Sequence, residues 1–299
     1  MMNLRSNLFL LFAAGILAAT TAHGQTQLNG VIDIHAHCDP DSIPRSIDAI
    51  DLARMAKSRG MRGLVLKNHF EPTASLAYIV RKEVPGIEVF GGIDLNRTVG
   101  GINPAAIEQM VHVKGRWGRV VWMPTFDAEH DTLASDHPRA RVPVSRNGEL
   151  LPEVKQAIAL VAKYQLALET GHSSPEEGLM IVREARRQGV QHIVVTHAML
   201  VGMTIPQMQE AAKLGAYIEF VYGGLIGQGK KFEMRDYAQA IRAIGPESCI
   251  LASDLGQAGN PLPPDGLSAF FSGLMKEGFS ETDIKLMSVT NPAHALGLE

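Results

Sequence analysis

Short apolar runs alternate with amphipathic stretches along most of the chain. Eight of the runs are rich in Val, Ile and Leu, which is typical of strands buried on both faces of a sheet. The predicted strands are Val31–His37, Gly63–His69, Val89–Asn96, Val120–Thr125, Leu166–His172, His192–His197, Ala216–Val221 and Ile250–Asp254. Stretches with helical spacing lie at residues 46–59, 73–83, 104–114, 153–163, 235–244 and 267–277. The pattern predicts a regular alternation of strands and helices.

Two further helices are predicted from their starts. Ser174-Pro175-Glu176-Glu177 has the form of a capping box with Pro at the first helical position, and predicts a helix that continues to about Gln188. Thr204–Gln207 repeats this arrangement with Pro206. Glycines stand where several of the predicted helices end, as expected for C-terminal caps.

The length of the repeat indicates the fold. The 217 residues from His37 to Asp254 contain seven strand-to-strand steps of about 31 residues each, the size of one βα unit. Eight such units in about 250 residues are typical of a (β/α)8 TIM barrel, an α/β fold. An open, doubly wound sheet is the alternative, and it explains eight consecutive units less easily. The longest step contains a polar segment, Phe126–Leu151, of the kind that is usually functional or disordered.

The first 24 residues differ from the rest of the chain. Arg5 is followed by the apolar run Leu8–Ala19, and Ala22-His23-Gly24 supplies small residues at the −3 and −1 positions of a cut before Gln25. These features predict a secretory signal peptide over residues 1–24 and a single domain over residues 25–299. The apolar run has 12 residues, fewer than the roughly 20 that span a bilayer. We therefore expect a periplasmic or extracellular protein without a stable membrane anchor, although an uncleaved anchor is the alternative.

Composition and charge narrow the function classes. The chain is 45% hydrophobic and 20% charged with a net charge of −3, which is ordinary for a globular protein and does not favour a nucleic-acid partner. Cys38 and Cys249 are the two cysteines, and the prediction places them at opposite ends of parallel strands. A six-residue strand spans roughly 20 Å, well beyond the Cα separation of about 7 Å that a disulfide allows. Two free thiols are expected.

Residues able to bind a metal ion or move a proton stand at the ends of five predicted strands. They are His35 and His37 on the first strand, Lys67 and His69 on the second, Glu169 and His172 on the fifth, His197 on the sixth and Asp254 on the eighth. Asp33 shares the face of His35 and His37 if the first strand alternates regularly. Because the C-terminal strand ends of a TIM barrel converge, this distribution predicts a metal site. Imidazole and carboxylate ligands favour Zn²⁺, with Mn²⁺ or Fe²⁺ as alternatives.

These residues resemble the motifs of a known enzyme family. Asp33-Ile34-His35-Ala36-His37, His172, His197 and Ser253-Asp254 look like the metal-binding motifs of the amidohydrolase superfamily, and the segment Asn291–Leu298 is similar to the closing helix of its members. The resemblance covers most of residues 25–299. Other blocks, such as Leu66–His69, Gly91–Asn96 and Val121–Thr125, look like an uncharacterised branch of that superfamily.

The resemblance implies a function for each matching residue. His35, His37 and Asp254 would hold the more buried ion, and Asp254 would accept the proton of the metal-bound water. His172 and His197 would hold a second ion, or one would bind the metal while the other orients the substrate. Such a site would activate water for hydrolysis, because a bound divalent ion lowers the pKa of water from 15.7 to about 7.

One departure from the family leaves the number of ions open. Binuclear members usually carry a bridging carbamylated Lys or a Glu at the end of the fourth strand, but here that strand ends in Trp122-Met123-Pro124-Thr125. Lys67, His69 and Glu169 are candidate substitutes. Lys67 could bridge as a carbamate, remain an ammonium that binds a substrate carboxylate, or form a buried ion pair with Glu169. One or two ions are therefore compatible with the sequence.

The prediction is thus a metal-dependent hydrolase that cleaves an amide, lactone or ester bond of a small, anionic substrate. Arg45, Lys67 and Asn96 are the candidate substrate contacts, and the segment Phe126–Leu151, with His130, His137, Arg139, Arg141 and Arg146, is a candidate lid. A metal-dependent decarboxylase on the same barrel is the first alternative, and a non-catalytic binding protein is the second. A homo-oligomer is compatible with the sequence.

Overall fold

The computed structural model describes residues 28–133 and 140–298. The predicted signal peptide, as well as His137 and Arg139 of the candidate lid, lie outside the described residues. Over the described ranges, every helix is too short or too polar to cross a bilayer.

Eight parallel strands form the main sheet, and each of them coincides with a strand predicted from the sequence. The eight strands are β1 (Ile32–His37), β2 (Gly63–Lys67), β3 (Glu88–Asp94), β4 (Gly118–Trp122), β7 (Ala167–Glu169), β8 (His192–Val195), β9 (Tyr217–Val221) and β10 (Cys249–Ala252), and two short strands, β5 (Ser145–Arg146) and β6 (Glu149–Leu150), lie outside this sheet. The order in the main sheet is β1-β2-β3-β4-β7-β8-β9-β10, while β5 and β6 form a separate hairpin. The backbone N–H of His37 donates to the carbonyl of Leu255 at 2.8 Å, and the N–H of Asp254 donates to the carbonyl of His35 at 2.8 Å. These bonds join the first strand to the chain after the last, so the barrel closes.

Helices connect consecutive strands and cover the outside of the barrel. They are α1 (Ala49–Ser58), α2 (Ala74–Glu83), α3 (Pro104–His112), α4 (Glu129–Leu133), α5 (Pro152–Tyr164), α6 (Pro175–Arg187), α7 (Ile205–Lys213), α8 (Met234–Ile244), α9 (Pro263–Lys276), α10 (Glu281–Lys285) and α11 (Asn291–Ala295). The capping box predicted at Ser174 is present, since its hydroxyl accepts from the N–H of Glu177. The predicted (β/α)8 barrel is therefore confirmed.

The core has two parts. One lies between the sheet and the surrounding helices, and the other fills the inside of the barrel. The inner part consists mainly of side chains from alternate strand positions, and Ala293, Ala295 and Leu296 near the C-terminus pack against it. Helix α11 thus closes one end of the barrel. The other end carries the polar residues that were predicted to converge.

Both cysteines are free and buried, as predicted. Burial raises the pKa of the Cys38 thiol to about 12, so the thiolate that metal binding or nucleophilic chemistry requires is disfavoured.

The segment Phe126–Leu151 contains α4 and the hairpin of β5 and β6. The hydroxyl of Ser145 donates to Oε1 of Glu177 at 2.7 Å, and Nη1 of Arg141 lies 3.9 Å from Oε1 of Glu129. The described part of this segment therefore has local structure that is attached to the barrel.

Candidate metal centre

The regular alternation predicted for β1 is interrupted next to the site. The register with β2 shifts between Asp33 and Ala36, so the expectation that Asp33 shares the face of the two histidines is wrong. The carboxylate of Asp33 accepts the backbone N–H groups of His35 at 3.2 Å and of Ser253 at 3.0 Å. Burial raises the pKa of Asp33 to about 6. Asp33 thus links β1 to the end of β10, and the irregularity sets the direction of the next two histidines.

His35, His37 and Asp254 converge at the open end of the barrel. Nε2 of His35 and Nε2 of His37 each lie 3.2 Å from Oδ1 of Asp254. Zinc bonds of about 2.0 Å in a tetrahedron place neighbouring ligand atoms about 3.3 Å apart. The spacing and the chemistry of these three donor atoms therefore fit a zinc-sized cation, and we call the three residues the triad.

Electrostatics in the triad favour neutral imidazoles and an ionised carboxylate. Burial lowers the pKa of both His35 and His37. Burial alone would raise the pKa of Asp254, but the adjacent imidazoles outweigh it and hold that pKa well below its usual range. Neutral His and ionised Asp are the forms that bind a metal ion.

A second pair of histidines lies beside the triad. Nε2 of His172 is 3.2 Å from Nε2 of His197, and Nδ1 of His172 contacts the carboxylate of Asp131 from α4. The rings of His35 and His197 are stacked with centroids 5.8 Å apart. The pair therefore presents two further imidazole nitrogens next to the triad.

Strand β7 ends before His172, and this explains how Glu169 and His172 can both serve the site although three positions separate them. Glu169 is the last residue of β7, and His172 lies in the turn that follows. That turn passes so close to the end of β4 that a Cβ on Gly171 would lie 2.2 Å from the carbonyl oxygen of Met123. Only glycine fits there, and the close approach brings His172 to the cavity.

A layer of buried charged side chains lies next to the triad, inside the barrel. Lys67 is fully buried, with Nζ 4.0 Å from Oδ2 of Asp94 and 5.2 Å from the ring centre of Trp122. No hydrogen-bond partner for Nζ is found among the described residues. Burial raises the pKa of Asp94 to about 6 and that of Glu169 to about 7. Lys67 is thus a buried amino group beside carboxyl groups that burial drives toward the neutral form.

Glu169 and His69 have partners other than the triad. Oε2 of Glu169 accepts from the hydroxyl of Thr196 at 3.0 Å. Nδ1 of His69 lies 2.9 Å from the hydroxyl of Thr125 and 3.2 Å from Oδ2 of Asp94. The ring of His69 is stacked on that of His37, with centroids 4.9 Å apart, and on that of Phe126 at 3.7 Å. The structure places His69 in the wall of the cavity, held from behind by Asp94.

The cavity over the triad has a volume of about 590 Å³. Three basic side chains line it, Arg45, Lys67 and Lys231, as do the histidines and Asp131. Its apolar lining comes from Ile43, Pro44, Phe126, Leu200 and Val201. A small molecule with an anionic group and an apolar body would match this lining.

Two of the predicted substrate contacts differ in their surroundings. Arg45 lies in the cavity wall, and its Nε donates to Oδ2 of Asp41 at 2.7 Å. Asn96 is buried behind the site, where its amide nitrogen donates to the carbonyl of His69 at 2.9 Å and its oxygen accepts the backbone N–H of Thr125 at 2.9 Å. Asn96 therefore fixes the chain around His69, and its amide is already in use.

Glu219 and Asp131 contact the site histidines and were missed in the sequence. Oε1 of Glu219 lies 3.1 Å from Nδ1 of His35, and Oε2 accepts the backbone N–H of His197 at 2.8 Å. Burial raises the pKa of Glu219 well above its usual range. Glu219 could have been identified as an acidic residue inside the apolar run Ala216–Val221. Asp131 lies in the long polar segment, where no periodicity distinguishes it.

Comparisons with known proteins agree with the fold. A family described as "Family of unknown function (DUF6282)" matches residues 30–219. A search of curated proteins finds no match.

Solved structures with the same fold include two enzymes named by their activity. The organophosphorus hydrolase from Deinococcus radiodurans is 15% identical, with a TM-score of 0.62 over 90% of this chain and 93% of that chain. An amidohydrolase from Pseudomonas aeruginosa is 13% identical, with a TM-score of 0.63 over 90% and 97%. A third structure, described as organophosphate hydrolysis engineered from a weak promiscuous lactonase template, is 16% identical with a TM-score of 0.59 over 90% and 96%. The expected resemblance to amidohydrolase-type barrels is confirmed for the fold.

Proposed function

The chain belongs to the family of unknown function DUF6282, and we propose that it is a metal-dependent hydrolase acting on an amide, ester or lactone bond of a small anionic molecule. The observation that carries this proposal is the triad, in which two imidazole nitrogens lie 3.2 Å from one carboxylate oxygen. We assign one ion, preferably Zn²⁺, to His35, His37 and Asp254. A second ion is assigned to His172 and His197. His69 and Glu169 remain candidate ligands beside these two sets, since the carboxylates of Glu169 and Glu219 form a further donor group with His35.

Two ions are proposed because the histidine pair is too far from the triad to complete its coordination. The three triad donors lie within 4.8 Å of one another, and no described fourth group joins them within that distance. Ligand atoms of one tetrahedral ion lie about 3.3 Å apart. His172 and His197 have this spacing between themselves, so they are suited to a separate ion.

Asp254 is suited to move a proton. A bound divalent ion would supply hydroxide at neutral pH by lowering the pKa of water to about 7. The side chain of Asp254 is 18% exposed, whereas those of His35 and His37 are 1% and 2% exposed, so the carboxylate is the most accessible of the three triad groups from the cavity. It would accept a proton there and deliver it to the leaving group, a contribution of about 10²- to 10⁴-fold in rate.

The basic residues of the cavity select the substrate. Nζ of Lys67 lies at the buried end of the cavity, where the described residues offer it no hydrogen-bond acceptor, and Arg45 and Lys231 line the same space. An anionic group on the substrate would satisfy these donors, since hydrogen bonds between charged partners are about twice as strong as neutral ones. The solved structures with the same fold are named as hydrolases, which supports hydrolysis as the reaction. The substrate class is proposed from the residues that line the cavity.

A decarboxylase is the second candidate, and buried Lys67 is the observation that favours it. An ammonium next to the metal ligands could bind the carboxylate of an acid whose carbanion the site then stabilises. The two reactions differ in their products, since only decarboxylation releases CO₂. We also propose that the protein is exported, on the basis of residues 1–24.

The test combines metal content with turnover. Purified residues 25–299 are loaded with Zn²⁺ or Mn²⁺, their metal content is measured by mass spectrometry, and a panel of esters, lactones, amides and carboxylic acids is assayed. We expect bound metal in the wild type, metal loss in His35→Ala, and hydrolysis that falls at least about 100-fold in Asp254→Asn. CO₂ release without hydrolysis would favour the decarboxylase. Bound metal without turnover of any panel member would favour a binding protein, and absence of bound metal would overturn the proposal.

A further inference from the structure

Glu219 lies where the two groups of candidate ligands meet. On β9, Ile218 and Phe220 pack into the outer core, while Val221 belongs to the core inside the barrel. By alternation, Glu219 faces the inside, and its side chain has no exposed surface. The acidic group is therefore held in the barrel by the period of the strand.

Each carboxylate oxygen of Glu219 has one partner in the site. Oε1 lies 3.1 Å from Nδ1 of His35, a residue of the triad. Oε2 accepts the backbone N–H of His197 at 2.8 Å, and His197 has a φ of +25°, in the left-handed region that residues with a side chain rarely adopt. One carboxylate thus contacts a triad side chain and a strained backbone in the histidine pair.

We propose that Glu219 is a positioning residue that fixes His35 for metal binding and holds His197 in the turn where its ring meets His172. Burial favours the neutral form of Glu219, while the N–H of His197 and the charge of Lys67 favour the ionised one. With the cation of the proposed centre bound, the ionised carboxylate would accept from Nδ1 of His35 and leave the lone pair on Nε2. Nε2 is the atom that faces Asp254 at 3.2 Å. This inference rests on the proposed metal centre and adds a residue to it. Carboxylates that orient ligating histidines in this way contribute about 10- to 100-fold to metal affinity.

The variant Glu219→Gln tests both contacts. Glutamine has one oxygen and one NH₂ group, and two donors face this position. If the oxygen keeps the N–H of His197, the NH₂ faces Nδ1 of His35 and forces its proton onto Nε2. If the oxygen turns to His35, the N–H of His197 loses its acceptor. Glutamine therefore cannot replace glutamate here, although its size is almost the same.

Glu184→Gln is the control. Glu184 lies on α6, outside the site, and its side chain is 11% exposed. Its carboxylate accepts from Nε of Arg187 at 2.8 Å and from Nη2 at 2.6 Å. Both variants remove one largely buried, hydrogen-bonded carboxylate, but only Glu219→Gln changes the partner of His35.

The measurement is the affinity for Zn²⁺ by competition with a coloured chelator, together with ¹⁵N NMR of histidine-labelled, metal-free protein. We expect Glu219→Gln to lose about 10- to 100-fold in affinity, Glu184→Gln to lose less than about threefold, and the His35 proton or the His197 amide signal to change only in Glu219→Gln. Equal losses in both variants, or unchanged signals in folded Glu219→Gln, would overturn the inference.

If Glu219→Gln fails to fold, Glu219→Asp replaces it in the test. A smaller loss of zinc affinity is then expected, because the charge is retained and the carboxylate is withdrawn by one methylene. Zinc binding without hydrolysis would contradict the proposed function alone, whereas a wild type without zinc affinity would contradict both.

Discussion

Nε2 of His172 faces Nε2 of His197 at 3.2 Å, and two neutral imidazoles can share only one proton at such a contact. The carboxylate of Asp131 contacts Nδ1 of His172, which places the proton of His172 on Nδ1 and leaves a lone pair on Nε2. His197 has no hydrogen-bond partner at Nδ1 within the described part of the chain. The contact therefore requires the proton of His197 on Nε2, and a cation bound between the two Nε2 atoms would replace that hydrogen bond.

We expect His172→Ala to lower the zinc content from about two ions per chain to about one, because the triad retains its three donors while the pair loses one of two. Metal content is measured by mass spectrometry after loading and desalting. His130→Ala serves as a control, because His130 is the neighbour of Asp131 on α4 and has not been assigned to the site. An unchanged zinc content in His172→Ala would show that the pair orients substrate instead.

Lys67→Met should weaken substrate binding and leave metal content unchanged. Methionine keeps the length of the side chain and removes the ammonium, so KM for an anionic substrate should rise at least about tenfold, as expected for the loss of a charged hydrogen bond. Lys213→Met, which removes a similar charge from the exposed face of α7, should change neither quantity. A fall in metal content in Lys67→Met would instead identify Lys67 as a ligand, bridging as a carbamate.

Most of the fold followed from local patterns in the sequence. All eight barrel strands were predicted because runs such as Gly63–His69 are apolar and bounded by turns, and the regular spacing of these runs identified the barrel. The barrel then places strand ends together, so His35, His37 and Asp254 could be grouped without knowledge of their contacts. Local pattern and topology were sufficient for the triad.

The remaining parts of the site depend on contacts that no local pattern encodes. The register shift after Asp33 breaks the alternation on which the prediction for that residue relied. Asn96 stands at a predicted strand end, as the ligands do, yet its amide is used by the backbone around His69. Asp131 contacts His172 from helix α4, 41 positions earlier in the chain, and such a contact depends on how the segment that contains α4 folds back on the barrel.

The pH dependence of stability should reveal Asp33. Its pKa is 3.8 in an unfolded chain and about 6 in the native protein because of burial. Between these values the unfolded chain releases its proton first, so the native state binds more protons and stability falls as the pH rises. A difference of about 2 pKa units corresponds to about 3 kcal/mol. We therefore expect the free energy of unfolding of metal-free protein to lose about that amount between pH 4 and 6 through Asp33 alone.

Asp33→Asn isolates this contribution. Asparagine keeps an oxygen that can accept the N–H groups of His35 and Ser253 and does not titrate. Urea unfolding gives the free energy of unfolding of both proteins. The value for wild type minus the value for Asp33→Asn should decrease between pH 4 and 6 and be constant above pH 6. Glu149→Gln, on the exposed hairpin, should give a difference without slope. Parallel pH curves for wild type and Asp33→Asn would contradict the burial effect.

Gly256 controls the position of His37. Its φ is +124°, and a Cβ there would lie 2.0 Å from the carbonyl oxygen and 2.9 Å from the Cβ of His37. Gly256→Ala must therefore move His37, whose Nε2 belongs to the triad.

Gly259 in the same loop has a φ of +90° and no atom within 4 Å of an added Cβ, so Gly259→Ala has the backbone strain without the clash. We expect Gly259→Ala to lower the free energy of unfolding by about 1 kcal/mol and to retain zinc affinity. Gly256→Ala should lower the free energy by more than about 2 kcal/mol and weaken zinc binding as well. Both quantities are measured on the same preparations, by urea unfolding of metal-free protein and by chelator competition. If the two variants bind zinc equally well, the contact with Gly256 does not position His37 and the triad is held by β1 alone.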